Sequence, residues 1–230
     1  MWDRELDGKR LTFRLAGINN QNFLMRDEQT GSYWQQITGA AISGPLRGRK
    51  LTLVRSDELS FALFRDESPA GEVFQASDPK ADYDPNWEAE VSKLKPTPLF
   101  HDPRLKDRDV IVGLVHGGEE RALPYPRLLE QKLVQDLVGK DPVTFVVGPD
   151  GFSVRAFVAR HPETGATVEF FRKNQSDWAL VDSVTGADWD FRGCALAGAL
   201  KGKCLRQLDI IKDYWFDWKN YHPNTSIYSR

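Results

Sequence analysis

Residues 27–51 read DEQTGSYWQQITGAAISGPLRGRKL, and residues 182–205 read DSVTGADWDFRGCALAGALKGKCL. One deleted residue after the tryptophan brings the two stretches into register. Asp27, Thr30, Gly31, Trp34, Gly39, Ala41, Gly44, Leu46, Gly48 and Leu51 then meet Asp182, Thr185, Gly186, Trp189, Gly193, Ala195, Gly198, Leu200, Gly202 and Leu205. The register continues without a further gap, so that Phe61 and Phe64 fall on Trp215 and Trp218, and Pro69 on Pro223. Identities in this order point to an internal duplication, with residues 27–69 matching 182–223.

Each copy has a local physical reading. Phe23–Met25 and Trp178–Val181 are short apolar runs leading into Asp-x-x-Thr-Gly, where the glycine suits a tight hairpin turn that needs φ > 0. Trp34 and Trp189 open the returning strand. The glycines that follow argue for short strands joined by turns and against a helix. Beyond Leu51 and Leu205 the period changes. Ser56–Arg65 and Lys212–Tyr221 space aromatics three apart with charges between, which predicts an amphipathic helix closing each copy, the first capped by Ser56. Asp109–Val115, Val143–Val147, Val154–Val158 and Thr167–Phe171 read as further strands, with Gly148–Gly151 as a turn. Arg127–Leu137, with leucines at helical spacing, reads as a third helix.

The fold class expected is therefore mainly β, a β-rich α+β protein of two related antiparallel sheet units with a few short helices. The organisation expected is a first copy over 1–75 that lacks the leading strands of its twin, a linker or long surface loop over 76–108, and a second copy over 109–230. The two copies sharing one continuous core is the other arrangement left open.

Composition narrows the function classes. Net charge is −2, with 31 basic and 33 acidic residues, so the basic face of a nucleic-acid binder is not expected. No apolar run approaches the roughly 18 residues of a membrane span. The start, Met1-Trp2-Asp3-Arg4-Glu5, has no apolar signal-peptide core, so a soluble chain is expected, with an exported longer precursor left open and the oligomeric state undetermined. Cys194 and Cys204 have no metal or redox spacing. They could face each other across a hairpin, but two inert thiols are the expectation.

The chain also resembles a family. Leu99-Phe-His-Asp-Pro-Arg-Leu, Val110-Ile-Val-Gly-Leu and Gly117-Gly-Glu-Glu-Arg-Ala-Leu-Pro-Tyr-Pro, together with the T-G-x-x-W…G-x-A-x-x-G-P-L-x-G-x-x-L pattern of Thr30–Leu51, are similar to a prokaryotic family known only as a domain of unknown function. The resemblance implies a shared fold and no particular activity. Members of that family often carry a Cys-Pro-x-Cys stretch ahead of the turn matched by Asp3–Gly8. This chain begins at Met1 and lacks it, which removes any thiol chemistry tied to it.

Site candidates follow from residue type alone. Trp34 and Trp189 are either aromatic walls for a small molecule or glycan, with Gln35, Gln36 and Asp190 as neighbouring polar groups, or core anchors; the core reading is preferred. His116 beside Gly117-Gly118 and the carboxylate of Asp190 are the catalytic candidates. The four histidines have no metal-ligand spacing, so no metal and no cofactor are expected. Asp82-x-Asp84-x-Asn86-x-Glu88 fails as an EF-hand because Trp87 and Lys93 stand where Gly and Glu are needed. The favoured role is a non-catalytic binding or structural module with its ligand between the two lobes. The alternative is a hydrolase acting on a glycan or peptide through carboxylate and histidine groups.

Overall fold

The Asp-x-x-Thr-Gly-x-x-Trp stretches build the same turn twice. In the first, Asp27 accepts hydrogen bonds from the Thr30 amide (2.5 Å), the Thr30 hydroxyl (2.9 Å) and Trp34 Nε1 (2.8 Å). In the second, Asp182 accepts from the Thr185 amide (2.5 Å), the Thr185 hydroxyl (2.6 Å) and Trp189 Nε1 (2.9 Å). Burial alone would raise both carboxyls, but these bonds outweigh it, holding Asp182 at about 2 and Asp27 below its ordinary value. Trp34 and Trp189 each meet a phenylalanine edge-on, Phe13 and Phe170, with ring centroids 5.8 Å apart in both cases. The glycine-rich segments match as well. Leu51 donates its amide to the Gly39 carbonyl as Leu205 does to Gly193, and Gly48 to Ala41 as Gly202 does to Ala195.

The computed structural model describes residues 1–19, 22–75, 85–86, 89–90, 93, 95–96, 101–173 and 179–229. Most of the expected linker over 76–108, including Asp82, Asp84 and Glu88, lies outside the described residues. The protein is mainly β, with antiparallel pairing predominating. Its contacts divide it into two units: Met1–Ser56 with Lys95–Asp109 and Asp213–Thr225, and Asp57–Leu94 with Val110–Lys212 and Ser226–Arg230.

In the first unit, β1 (Glu5–Leu6) and β2 (Lys9–Arg10) form a hairpin, and β3 (Phe13–Asn19), β4 (Asn22–Asp27), β5 (Tyr33–Gln35) and β6 (Ala41–Ser43) form an antiparallel meander. Leu11, Trp34, Ala41 and Leu51 make its core, with Trp2, Phe13, Met25 and Leu46 packed around them.

The second unit has helix α1 (Phe61–Glu67) and strands β7 (Val110–His116) and β8 (Glu119–Pro124), then α2 (Tyr125–Gln131). Strands β9 (Leu133–Val138), β10 (Asp141–Val147) and β11 (Val154–Val158) follow as an antiparallel sheet. Next come β12 (Phe170–Arg172), β13 (Leu180–Asp182) and β14 (Asp188–Trp189), the sheet that carries the second tryptophan. One buried cluster joins Trp189, Phe170, Phe157, Leu200 and Leu205; another fills the sheet around Phe145, Val112 and Leu123. The last helix, α3 (Trp215–Tyr221), belongs to the first unit, whereas α1 belongs to the second. The helix closing each unit is therefore the one that follows the other unit's glycine-rich stretch, an exchange that periodicity along the chain cannot reveal.

Four local expectations are corrected. The second closing helix covers Trp215–Tyr221 and not all of Lys212–Tyr221, because Ile210–Tyr214 is a strand. The first closing helix is capped by Ser60, not Ser56: the Ser60 hydroxyl accepts from the Leu63 amide (3.3 Å) while its own amide donates to Ser153 Oγ (3.0 Å). Asp57 is drawn instead to Arg155, a buried guanidinium that it shares with Glu67. The helix expected over Arg127–Leu137 stops at Lys132, which takes φ of 64°, and Leu133–Val138 pairs in register with Asp141–Val146 as a strand. Sheet pairing outweighs leucine spacing here. Finally, Cys194 and Cys204 are not inert thiols but a disulfide, across an antiparallel bridge with Cα atoms 4.0 Å apart.

In the first copy the same bridge joins Ala40 and Lys50 with no sulfur. The backbone ladder therefore forms without the cross-link. The double variant Cys194→Ala/Cys204→Ala is expected to fold, with stability lower by about 2–3 kcal/mol for so short a loop, measured by urea denaturation.

Candidate functional site

The first unit brings together four polar side chains that the sequence does not group. Asn22 opens β4; Asp213 is the next-to-last residue of the strand Ile210–Tyr214; Asp217 and Tyr221 lie one turn apart on α3. Residues i and i+4 share a helix face, which places Tyr221 over Asp217. Asn22 Nδ2 donates to Asp217 Oδ2 (2.8 Å), the Tyr221 hydroxyl donates to the Asn19 carbonyl (2.9 Å), and the Tyr214 amide donates to Asp213 Oδ1 (2.7 Å).

What remains is unsatisfied. Asn22 Oδ1, Asp213 Oδ2 and Asp217 Oδ1 are buried and receive no hydrogen bond from any described residue. Asp217 is only 7% exposed. A buried carboxylate ordinarily has a cation or several N–H donors. Elsewhere in the protein that rule holds: Arg155 serves Asp57 and Glu67, and Arg104 and Lys219 serve Asp102.

Here burial pushes the Asp213 carboxyl up, the neighbouring Asp217 charge pushes it further, and the Tyr214 amide only partly offsets them, leaving it at about 8. Asp217 is raised by burial and partly lowered by Asn22. The Tyr221 phenol, buried and facing both carboxyls, is pushed up to about 12. No described basic side chain enters these balances. At neutral pH burial and the mutual repulsion of the two carboxyls therefore keep a proton on the pair.

The residues singled out from sequence fall elsewhere, with one connection. Trp34 and Trp189 are 0% and 1% exposed, so neither has a face open to a ligand, as the core reading expects. Gln35 does approach the acid group: its Nε2 donates to Asn19 Oδ1 (2.8 Å), and the Asn19 carbonyl holds Tyr221. Gln36 is exposed and accepts from Trp2 Nε1 through its carbonyl (2.6 Å). Asp190 accepts from the Cys194 amide (2.9 Å) and pairs with Arg192 (2.9 Å), which ties it into its own turn. His116 Nε2 lies 2.8 Å from Asp141, whose carboxylate is shared with Arg160 and Arg206. Asp190 and His116 thus have separate partners.

The family pattern described as protein of unknown function DUF3179 matches residues 1–225. The chain belongs to that family. No curated protein and no solved structure matches it. In this DUF3179 protein no helix among the described residues is long and apolar enough to cross a membrane. Nor do three His, Cys, Asp or Glu side chains cluster among them.

The acid group escaped a reading by motif, but one signal was present. In the register of the repeat, Asp213 and Asp217 fall on Leu59 and Leu63. Leu63 is buried and Leu59 packs beside it in the second unit. The two places that one copy fills with leucines, one just ahead of α1 and one within it, carry carboxyls in the other, one on the strand before α3 and one within α3.

Proposed function

We propose that this protein is a non-catalytic binding module and that Asn22, Asp213, Asp217 and Tyr221 form its recognition centre. The observation that carries this reading is the set of three buried oxygen acceptors left without donors. Each unsatisfied buried acceptor costs about 1–3 kcal/mol, more for a charged one. A ligand supplying hydrogen-bond donors or positive charge would recover that energy, and no packing requirement explains the acids, since leucines stand at the positions that match them in the repeat. A small molecule rich in donors, a glycan among them, fits the same chemistry.

The hydrolase reading is supported by the His116–Asp141 pair alone. Asp141 already serves two arginines, and Asp190 serves its own turn, so the pair reads better as part of a surface ion network.

A thermal-shift series with metals, sugars and nucleotides tests the binding reading on wild type and Asp217→Asn. Ligand at a hundredfold excess over its dissociation constant stabilises the native state by about 2.7 kcal/mol, a rise of several degrees for a chain of this size. The expected result is one ligand class with a shift that Asp217→Asn removes. A shift that survives the substitution, or hydrolysis of a glycan or peptide that His116→Ala abolishes, would refute it.

A further inference from the structure

We infer that the acid group of the first unit is a divalent-cation site in which Asp213, Asp217 and the Asn22 amide oxygen are the protein ligands; this rests on the binding reading above. Carboxylate and amide oxygens are the donor set that Ca²⁺, Mg²⁺ and Mn²⁺ take, and Mg²⁺ in particular is held by one or two carboxylates and keeps several waters. The three oxygens that lack donors are one from each of these residues. Asp217, nine-tenths buried, keeps its position through Asn22 Nδ2 while its other oxygen stays uncommitted.

The charge argument points the same way. Two ionised carboxyls carry a charge of −2, which a divalent ion cancels and a single ammonium does not. Of the groups that hydrogen-bond to or face the pair, Asn22, the Tyr214 amide and Tyr221 are neutral, and the Arg108 guanidinium is engaged with the Tyr214 ring, 5.3 Å from its centroid. Softer metals are disfavoured because neither a thiolate nor an imidazole is among the three ligands.

The experiment uses the full chain, stripped with a chelator and titrated with CaCl₂, MgCl₂ and MnCl₂ by calorimetry at pH 8.5. Putrescine and glucose are run in parallel as donor-rich probes without a metal. We expect one divalent ion to bind with one-to-one stoichiometry. Asp217→Asn and Asp213→Asn, both checked for folding by circular dichroism, are each expected to weaken binding by about thirtyfold or more. Loss of binding in either folded variant supports the site; if one fails to fold, the other decides.

Absence of binding by all three ions at pH 8.5, or binding unchanged in the variants, overturns the inference. If putrescine or glucose binds instead, and Asp217→Asn removes that binding, the cation is wrong and the recognition centre stands. If none of the five probes binds, both fall.

Discussion

Raising the pH from 5 to 8 in chelator-containing buffer is expected to destabilise this protein, and Asp213→Asn to flatten that dependence. The sign follows from the direction of the shift. Asp213 titrates near its ordinary 3.8 in the unfolded chain and at about 8 in the folded one. Below 3.8 both states hold the proton and its stabilisation is fully present. Between the two values the unfolded chain has released the proton while the folded chain keeps it. Unfolding then frees a proton, and stability falls by up to about 1.4 kcal/mol per pH unit. Above 8 both states are ionised and the dependence ends.

The depressed carboxyls act in the opposite sense. Asp182 and Asp150, each held at about 2, contribute stability above their unfolded values and lose it on acidification, as does Asp27. Their window lies below about pH 4, outside the interval from 5 to 8, and comparison with Asp213→Asn separates the acid pair from the histidines that titrate within it. Urea midpoints at half-unit pH steps, for wild type and Asp213→Asn, measure the difference. Equal slopes in the two proteins would show that Asp213 does not hold a proton there. The double variant Asp213→Leu/Asp217→Leu, which copies Leu59 and Leu63, should also lose the slope and gain about 1–4 kcal/mol near pH 8, because apolar replacement of buried charges removes their desolvation penalty.

Trp189→Ala is expected to destabilise the protein by about 3–5 kcal/mol, and Trp34→Ala by a similar amount. Each indole fills the middle of a buried cluster and meets a phenylalanine edge-on. Each also donates its N–H to the carboxylate that organises the preceding turn, Asp182 or Asp27. Truncation therefore leaves a cavity and removes one of the bonds that hold that carboxyl low. Trp189→Phe separates the two effects: it keeps most of the packing and loses only the N–H. Its cost should be about 1–2 kcal/mol at pH 7 and should shrink as pH falls below about 4, where Asp182 takes up a proton and the missing N–H no longer serves a carboxylate. Chemical denaturation of the three variants at pH 7 and pH 3.5 checks both. A Trp189→Ala cost below about 1 kcal/mol would mean that the cluster collapses around the missing ring and that the tryptophan is no anchor.

How much of this was legible depends on how local the cause is. The Asp-x-x-Thr-Gly-x-x-Trp turns, the mainly β class, the Gly148–Gly151 hairpin and the burial of Trp34 and Trp189 follow from contacts within a few residues. Composition and pattern report such contacts well. The boundary of α1 was misplaced because Ser153 and Arg155, nearly a hundred residues away, decide which serine caps the helix and where Asp57 points. The strand at Leu133–Val138 exists because its partner is Asp141–Val147, and the helical spacing of its leucines carries no trace of that pairing.

The candidate site is the extreme case. Asn22 and Asp217 are 195 positions apart and meet at 2.8 Å. They do so because α3 closes the unit whose sheet was laid down at the start of the chain, and not the unit whose strands precede it. The sequence by itself determined the repeated turn, its tryptophan anchor and the substitution of two leucines by two aspartates. Only the tertiary structure decided which unit those aspartates join, and so that they are buried beside an amide with no basic partner among the described residues. A pattern along the chain records which side chains are available; burial and the dielectric around a charge depend on what the fold places against it.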